Sequence, residues 1–527
     1  MSRLVARGAA ALALAVAIAS AASAQPAEKL GSVSFANSCS EAVQPHLQRA
    51  VAMLHSFWWG EGDKAFREVL QKDPGCAIAA WGIATIAIGN PYATGASPER
   101  AKGAQEAIAQ ARAAGAKSER ERGYIEAVGA YYDRFAERGH PARMRSLADA
   151  FEKLAKQYPD DETQIFSAIY LVSTQPPADK TFARALQGAA ILEAQFKKHP
   201  NHPGAAHYLI HAYDYPALAD KGLPAAKGYA DIAPSAPHAL HMPSHIFTRV
   251  GSWQESAATN RRAADAAQSE AERSDRLHAL DYLVYASLQL ARDKDAGAAL
   301  EEIRKVPEGG ATVIGSAYSR AAAPARYAIE RGQWAEAARL DDPDKGSPPF
   351  TQAMRYFARA LGAARSGNPA AAEKDVDQLR QIGETLKAAR NDYWATEVEV
   401  QRTAAEAWIA FAKGDRDRGL TLMRAAADME DKTEKHPVSP GRLIPARELL
   451  GDMLLESKRP AEALTEYEAS QTRDRNRFRG YWGAAQAAAQ AGNKGKAKEH
   501  YTRLIGLAGS GGARPELAKA REYLAMK

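Results

Sequence analysis

Seven of the 13 histidines in this 527-residue chain fall between His199 and His245. Neutral imidazole is a ligand for Zn, Cu, Ni and Fe, and helical pairs spaced i,i+3 or i,i+4 bring two ring nitrogens to one ion. His207 and His211 are spaced i,i+4. His238, His241 and His245 occupy an arc of roughly 60° on one helical face. A set of three or more imidazoles without cysteine suits Cu(II) or Zn, with one coordination position open to water or substrate. Asp214, Tyr208 and Tyr213 lie close enough in sequence to orient such ligands from outside. His278 and Asp281, spaced i,i+3, extend the set from the next helix. Arg249 lines the same face, and His55 belongs to it from farther along the array.

Other chemistries lack their residues. There is no Cys-x-x-Cys-His, so c-type haem is excluded, and no dinucleotide fingerprint follows a strand. His-Glu-x-x-His and Gly-x-Ser-x-Gly are absent. The Gly509–Gly512 run has no phosphate-loop lysine, and Asp415-Arg-Asp417 lacks the glycine and glutamate of a calcium loop. The formal charge of +6 is spread without a basic stripe, which argues against a nucleic-acid partner.

The elements that must position these histidines are helical. Alanine is abundant and aromatics make up only 8% of the chain. Pro460-Ala-Glu-Ala463-Leu-Thr-Glu-Tyr467 is echoed by Lys496-Ala497-Lys-Glu-His-Tyr501, a shift of 34 residues and the tetratricopeptide period. Gly251-Ser-Trp253, Gly332-Gln-Trp334, Gly367-Asn and Gly414-Asp repeat the turn between two helices, glycine closing one and a polar residue starting the next. The spacing predicts an all-α, right-handed α-solenoid of stacked helix–turn–helix repeats. Two adjacent first helices, about 10 Å apart, then present the histidines to a concave groove. Pro203 starts one of these helices, and Pro216 ends it. Pro243 complicates the other by removing the bond to Ala239. If that helix begins at Met242, His238 and His241 belong to a leading turn instead.

Residues 1–24 read as a secretory signal: Arg3 and Arg7, an apolar Gly8–Ala19 stretch, then Ala22-Ser23-Ala24 as the cleavage site. The expectation is a bacterial periplasmic or secreted protein without a transmembrane segment once the signal is cleaved. Residues 25–435 form the solenoid and 436–527 the C-terminal repeats, divided at the proline-marked loop from Glu434. Two cysteines in an exported chain favour a Cys39–Cys76 disulfide. It closes a loop of about 37 residues, worth roughly 4 kcal/mol on the chain-entropy account.

Leu54-His-Ser-Phe-Trp58, Asp73-Pro-Gly-Cys76, His202-Pro-Gly-Ala-Ala-His207-Tyr-Leu-Ile-His211 and Ala236-Pro-His238-Ala-Leu-His241-Met-Pro-Ser-His245 together resemble a family of exported bacterial tetratricopeptide-repeat proteins with histidine-rich motifs. Pro440 to Glu468 is similar to its C-terminal part. The resemblance implies the fold and export, and no activity. Two functional readings follow. One is a groove holding a His-ligated Cu or Zn, with a position open for catalysis. The other is a non-enzymatic scaffold whose groove binds a peptide or protein. A metal-free His/Asp hydrolase ranks last, for want of a nucleophile.

Overall fold

A computed structural model describes residues 28–93, 95–307, 314–509 and 512–526. The signal-peptide reading falls on residues outside these. Every regular element among the described residues is a helix, and neighbours in sequence pack on one another as a TPR-like α-solenoid. No described helix is long and apolar enough to cross a membrane.

The repeat is built as its spacing predicts. Ala463 and Ala497 are fully buried, and Tyr467 and Tyr501 pack beside them. The Tyr467 ring is wedged so tightly between neighbouring helices that a Cβ on Gly451 would lie 2.7 Å from it and one on Gly483 2.2 Å away. Gly251, Gly332, Gly367 and Gly414 all turn with positive φ, a conformation that costs glycine little. Asn368 and Asp415 cap the following helices through their side chains, accepting from Ala371 and Arg418. Ser252 does not use its side chain in this way.

Cys39 and Cys76 are disulfide-bonded, with Cα atoms 4.8 Å apart. The bond ties the segment before the first helix pair to the start of the Ala77–Ile88 helix.

The inner face is less open than an ideal array. The first helix, Gln44–His55, reaches the Pro203–Tyr213 helix directly. Gly204 permits this approach, since a Cβ there would sit 2.4 Å from the His55 ring. His55 is therefore beside the histidine stretch rather than farther along the array. The proline-marked segment around Glu434–Gly441 is drawn inward. Tyr282 donates to the carbonyls of Pro437 and Ser439, Tyr318 to Ser439 Oγ, and Arg326 to the Gly441 carbonyl. Glu434 and Lys435, at the division expected from sequence, are both buried.

Candidate metal centre

His202 caps the Pro203–Tyr213 helix, its Nδ1 accepting from the Ala205 N–H at 3.2 Å. Pro203 occupies the first turn, where its missing N–H costs nothing. One turn separates His207 from His211, and their Nε2 atoms lie 3.2 Å apart. The second histidine element is split. Residues Pro237–His241 and Pro243–Val250 form two helical segments that share Met242, whose φ of −53° and ψ of −37° keep the chain helical. Pro243 interrupts the bonding without ending the helix. His241 and His245 thus stay one turn apart, with Nε2 atoms at 3.1 Å.

The imidazoles expected at one site separate into two triads. One nitrogen each from His207, His211 and His238 lies within 4.8 Å of the others, and the same holds for His241, His245 and His278. All but His278 are buried, so they sit beneath the inner surface instead of lining an open groove. The triads adjoin: the rings of His211 and His245 are 5.9 Å apart, and those of His238 and His241 6.0 Å. Phe57, Tyr92 and Tyr282 pack their rings against this group.

Hydrogen-bond partners outside the cluster dictate where each proton sits. Asn260 Nδ2 donates to the Ser256 carbonyl at 2.7 Å, which turns Asn260 Oδ1 toward His241 Nδ1, also at 2.7 Å. An amide oxygen only accepts, so His241 carries its proton on Nδ1. His245 Nδ1 donates to Asp214 Oδ2 at 2.9 Å. Both rings therefore aim Nε2 lone pairs at each other. In the first triad, His207 Nδ1 donates to the backbone carbonyl of His55 at 2.7 Å, again leaving its Nε2 as a lone pair. His238 Nε2 and His278 Nδ1 are shielded from solvent without a hydrogen-bond partner among the described residues.

Asp214 is the hub behind the second triad. Besides His245 it accepts from Arg249 Nε at 2.8 Å and Lys435 Nζ at 3.2 Å. Burial opposes its ionisation, but Lys435 and Arg249 overcome this and hold it well below the usual carboxylate range. Burial pushes Lys435 down to about 8, with Asp214 pulling it back. Burial also pushes His207, His211, His238, His241 and His278 well below the ordinary histidine range, and neighbouring imidazoles act in the same direction. His245 is lowered too, with Asp214 opposing the burial.

Not every expected residue joins the cluster. Asp281 is buried and pairs with Arg326, so only His278 of that i,i+3 pair reaches the histidines. Tyr213 donates to Glu193 instead. His55 enters a third group with Glu162 and His202, and this one is satisfied without an ion. His202 donates from Nε2 to Glu162 Oε1 at 3.0 Å, His55 from Nε2 to Oε2 at 2.9 Å, and Tyr208 to His55 Nδ1 at 3.0 Å. Asn260, Glu162, Glu434 and Lys435 were not foreseen as partners. Asn260 lies on the next helix and Lys435 is 221 residues from Asp214, so no local spacing marks them.

No family model matches the chain, and no curated protein matches it. Among solved structures, a tetratricopeptide repeat protein from Parabacteroides merdae ATCC 43184 is similar at 15% identity and a TM-score of 0.30, covering 55% of this chain and 98% of its own. The P58(IPK) TPR domain is similar at 13% identity and a TM-score of 0.21, covering 69% of this chain and 98% of its own. Both are tetratricopeptide-repeat structures, and at these scores neither likeness bears on the histidines.

Proposed function

We propose that the protein is an exported solenoid that binds a transition metal, Cu or Zn, through its buried imidazoles. The observation that carries this reading is the pair of opposed Nε2 lone pairs on His241 and His245, 3.1 Å apart. Two acceptors at that distance repel unless a cation lies between them. A proton could serve, but burial holds His245 below the ordinary histidine range even with Asp214 opposing it. A metal ion accepts both lone pairs, and Asp214 behind His245 supplies the carboxylate that commonly orients a ligating histidine. Elemental analysis of tag-free mature protein should find Cu or Zn near stoichiometry. His241→Ala and His245→Ala should lower that content while leaving the helical circular dichroism intact. Absence of metal, with no binding in any buffer, would sink the reading.

A second reading, a scaffold for a peptide or protein partner, is favoured by a different feature. A groove of about 1210 Å³ opens between the later repeats, lined by Trp334, Arg365, Arg479, Trp482 and Arg514 among others. Its lining mixes aromatic rings with basic and acidic side chains, Asp293, Asp452 and Glu456 among the acidic ones, which suits a peptide carrying both charges. Binding of a peptide library to apo protein, lost in Arg479→Ala with Trp334→Ala, tests it independently of metal.

A further inference from the structure

We propose that the two triads form one two-metal centre holding a pair of Cu(I) ions, three imidazoles to each, that binds dioxygen between them. This rests on the metal-binding reading above and extends it to nuclearity, oxidation state and ligand class.

The helix carrying His238, His241 and His245 is what joins the sites. His238 turns toward His207, with rings 5.1 Å apart, while His241 turns toward His278, with rings 4.4 Å apart. One helix thus contributes to both triads. His211 and His245 face each other across the division, with ring centres 5.9 Å apart. Each triad also includes one ring, His238 or His278, with a shielded nitrogen that has no hydrogen-bond partner among the described residues. Two matched sets with matched deficits, in contact, describe a pair of sites better than one site with spare ligands.

Charge selects the ion. Neither triad includes a carboxylate, and the nearest, Asp214, is already shared among His245, Arg249 and Lys435. Glu434 is engaged with Arg249 and Lys180. Asp275, with Oδ1 3.9 Å from His238 Nδ1, is the one further carboxylate at the triads among the described residues, so two ions would still carry mostly unoffset charge in a desolvated interior, where the cost of a bare ion rises steeply with its charge. Three neutral imidazoles around a monovalent ion carry the least charge, and among imidazole-binding transition metals copper offers that state. A three-coordinate ion leaves a position open on each partner.

Dioxygen matches such a pair by electron count. Each Cu(I) gives one electron and becomes Cu(II). Dioxygen takes both electrons and becomes peroxide bridging the two ions, with two new copper–oxygen linkages and no proton moved. The total charge of metals plus ligand is +2 before and after, so the interior needs no new counter-ion.

The test uses the full mature chain without a tag. Anaerobic Cu(I) titration against a competing chelator should end at two copper ions per chain. Admitting dioxygen should consume one molecule per two copper ions. The oxidised copper should be visible by X-ray absorption yet nearly silent in electron paramagnetic resonance, as coupling of the two spins requires. His238→Gln and His278→Gln should each lower the stoichiometry to one and restore a full Cu(II) signal, with circular dichroism confirming the fold. One copper per chain in the parent, uncoupled Cu(II) at full intensity, or two zinc ions without copper affinity would overturn this inference and leave the metal-binding reading standing. No metal of any kind would overturn both.

Discussion

The Nε2 atoms of His241 and His245 face each other at 3.1 Å, and each ring is held from behind by an oxygen that only accepts, Asn260 Oδ1 for one and Asp214 Oδ2 for the other. Their local spacing alone would permit one ring to donate to the other. The outer partners remove that option, and this separates the pair from an ordinary buried histidine contact.

Acid should destabilise the metal-free protein early. His207, His211, His238, His241 and His278 titrate well below the ordinary histidine value when folded. Once unfolded they take protons near ~6.5. Below that pH the unfolded chain binds more protons, so stability falls as pH drops, by up to about 1.4 kcal/mol per pH unit for each such ring. The urea midpoint of metal-free protein should hold steady from pH 8 to 7 and fall steeply below about 6.5. A midpoint unchanged down to pH 5 would contradict the buried, neutral assignment.

The disulfide gives a second check. Unfolded, unreduced mature protein should show no free thiol on titration. Cys39→Ser with Cys76→Ser should cost roughly 4 kcal/mol, since the bond closes a loop spanning 37 positions. Two reactive thiols would refute the pairing.

Much of this arrangement could be read from the chain, and the limits have physical causes. The 34-residue echo of Ala463 and Tyr467, the glycine turns and the i,i+4 spacing of His207 with His211 are local, and local geometry follows from sequence. Assigning His238 to one triad and His241 to another depends on how the paired helices curve, which no spacing records. Asp281 looks like a neighbour of His278 on a helical wheel, but Arg326 from a later helix captures it. His55 looks remote because the count assumes an open array, whereas Gly204 lets the first helix close onto the Pro203–Tyr213 helix.

The late repeats are tied to the middle of the chain through Arg477. Its guanidinium is buried between Glu330, at 2.7 Å, and Glu448, also at 2.7 Å. Arg477→Met leaves two carboxylates facing each other without a cation, a loss of about 3–5 kcal/mol. Denaturant unfolding measures it. A loss under 1 kcal/mol would mean that the pair does not join the repeats energetically.

Truncation after Asp431 should reach the histidines. It removes Lys435 from Asp214 and Glu434 from Arg249, and it leaves Tyr282, Tyr318 and Arg326 without the acceptors they use in the inward segment. Buried donors without acceptors cost about 1–3 kcal/mol each. Hydrogen exchange in the Pro203–Tyr213 and Arg273–Gln289 helices should accelerate in the shortened chain. Protection equal to the parent's would show that these helices stand without the segment.

The third histidine group offers the sharpest contrast with the two triads. In Glu162→Gln the carboxylate that accepts from both His55 and His202 gains an N–H2 where one acceptor oxygen stood, so one buried hydrogen bond becomes a clash of donors. The expected cost is about 1–3 kcal/mol of stability, with metal content unchanged, because that group is satisfied without an ion. Asp214→Asn acts at the far end of the Pro203–Tyr213 helix, whose start His202 caps. It weakens the hold on His245 Nδ1, leaves Lys435 uncompensated and leaves Arg249 with Glu434 alone, so it too destabilises the fold. It should also lower metal affinity by about 10–100-fold, the range seen when the outer partner of a ligating histidine is removed. Measured side by side at a temperature where both variants stay folded, only Asp214→Asn should move the metal-binding curve. Equal loss of metal in both would place Glu162 in the centre and dissolve the distinction between the groups, and equal retention would remove Asp214 from it.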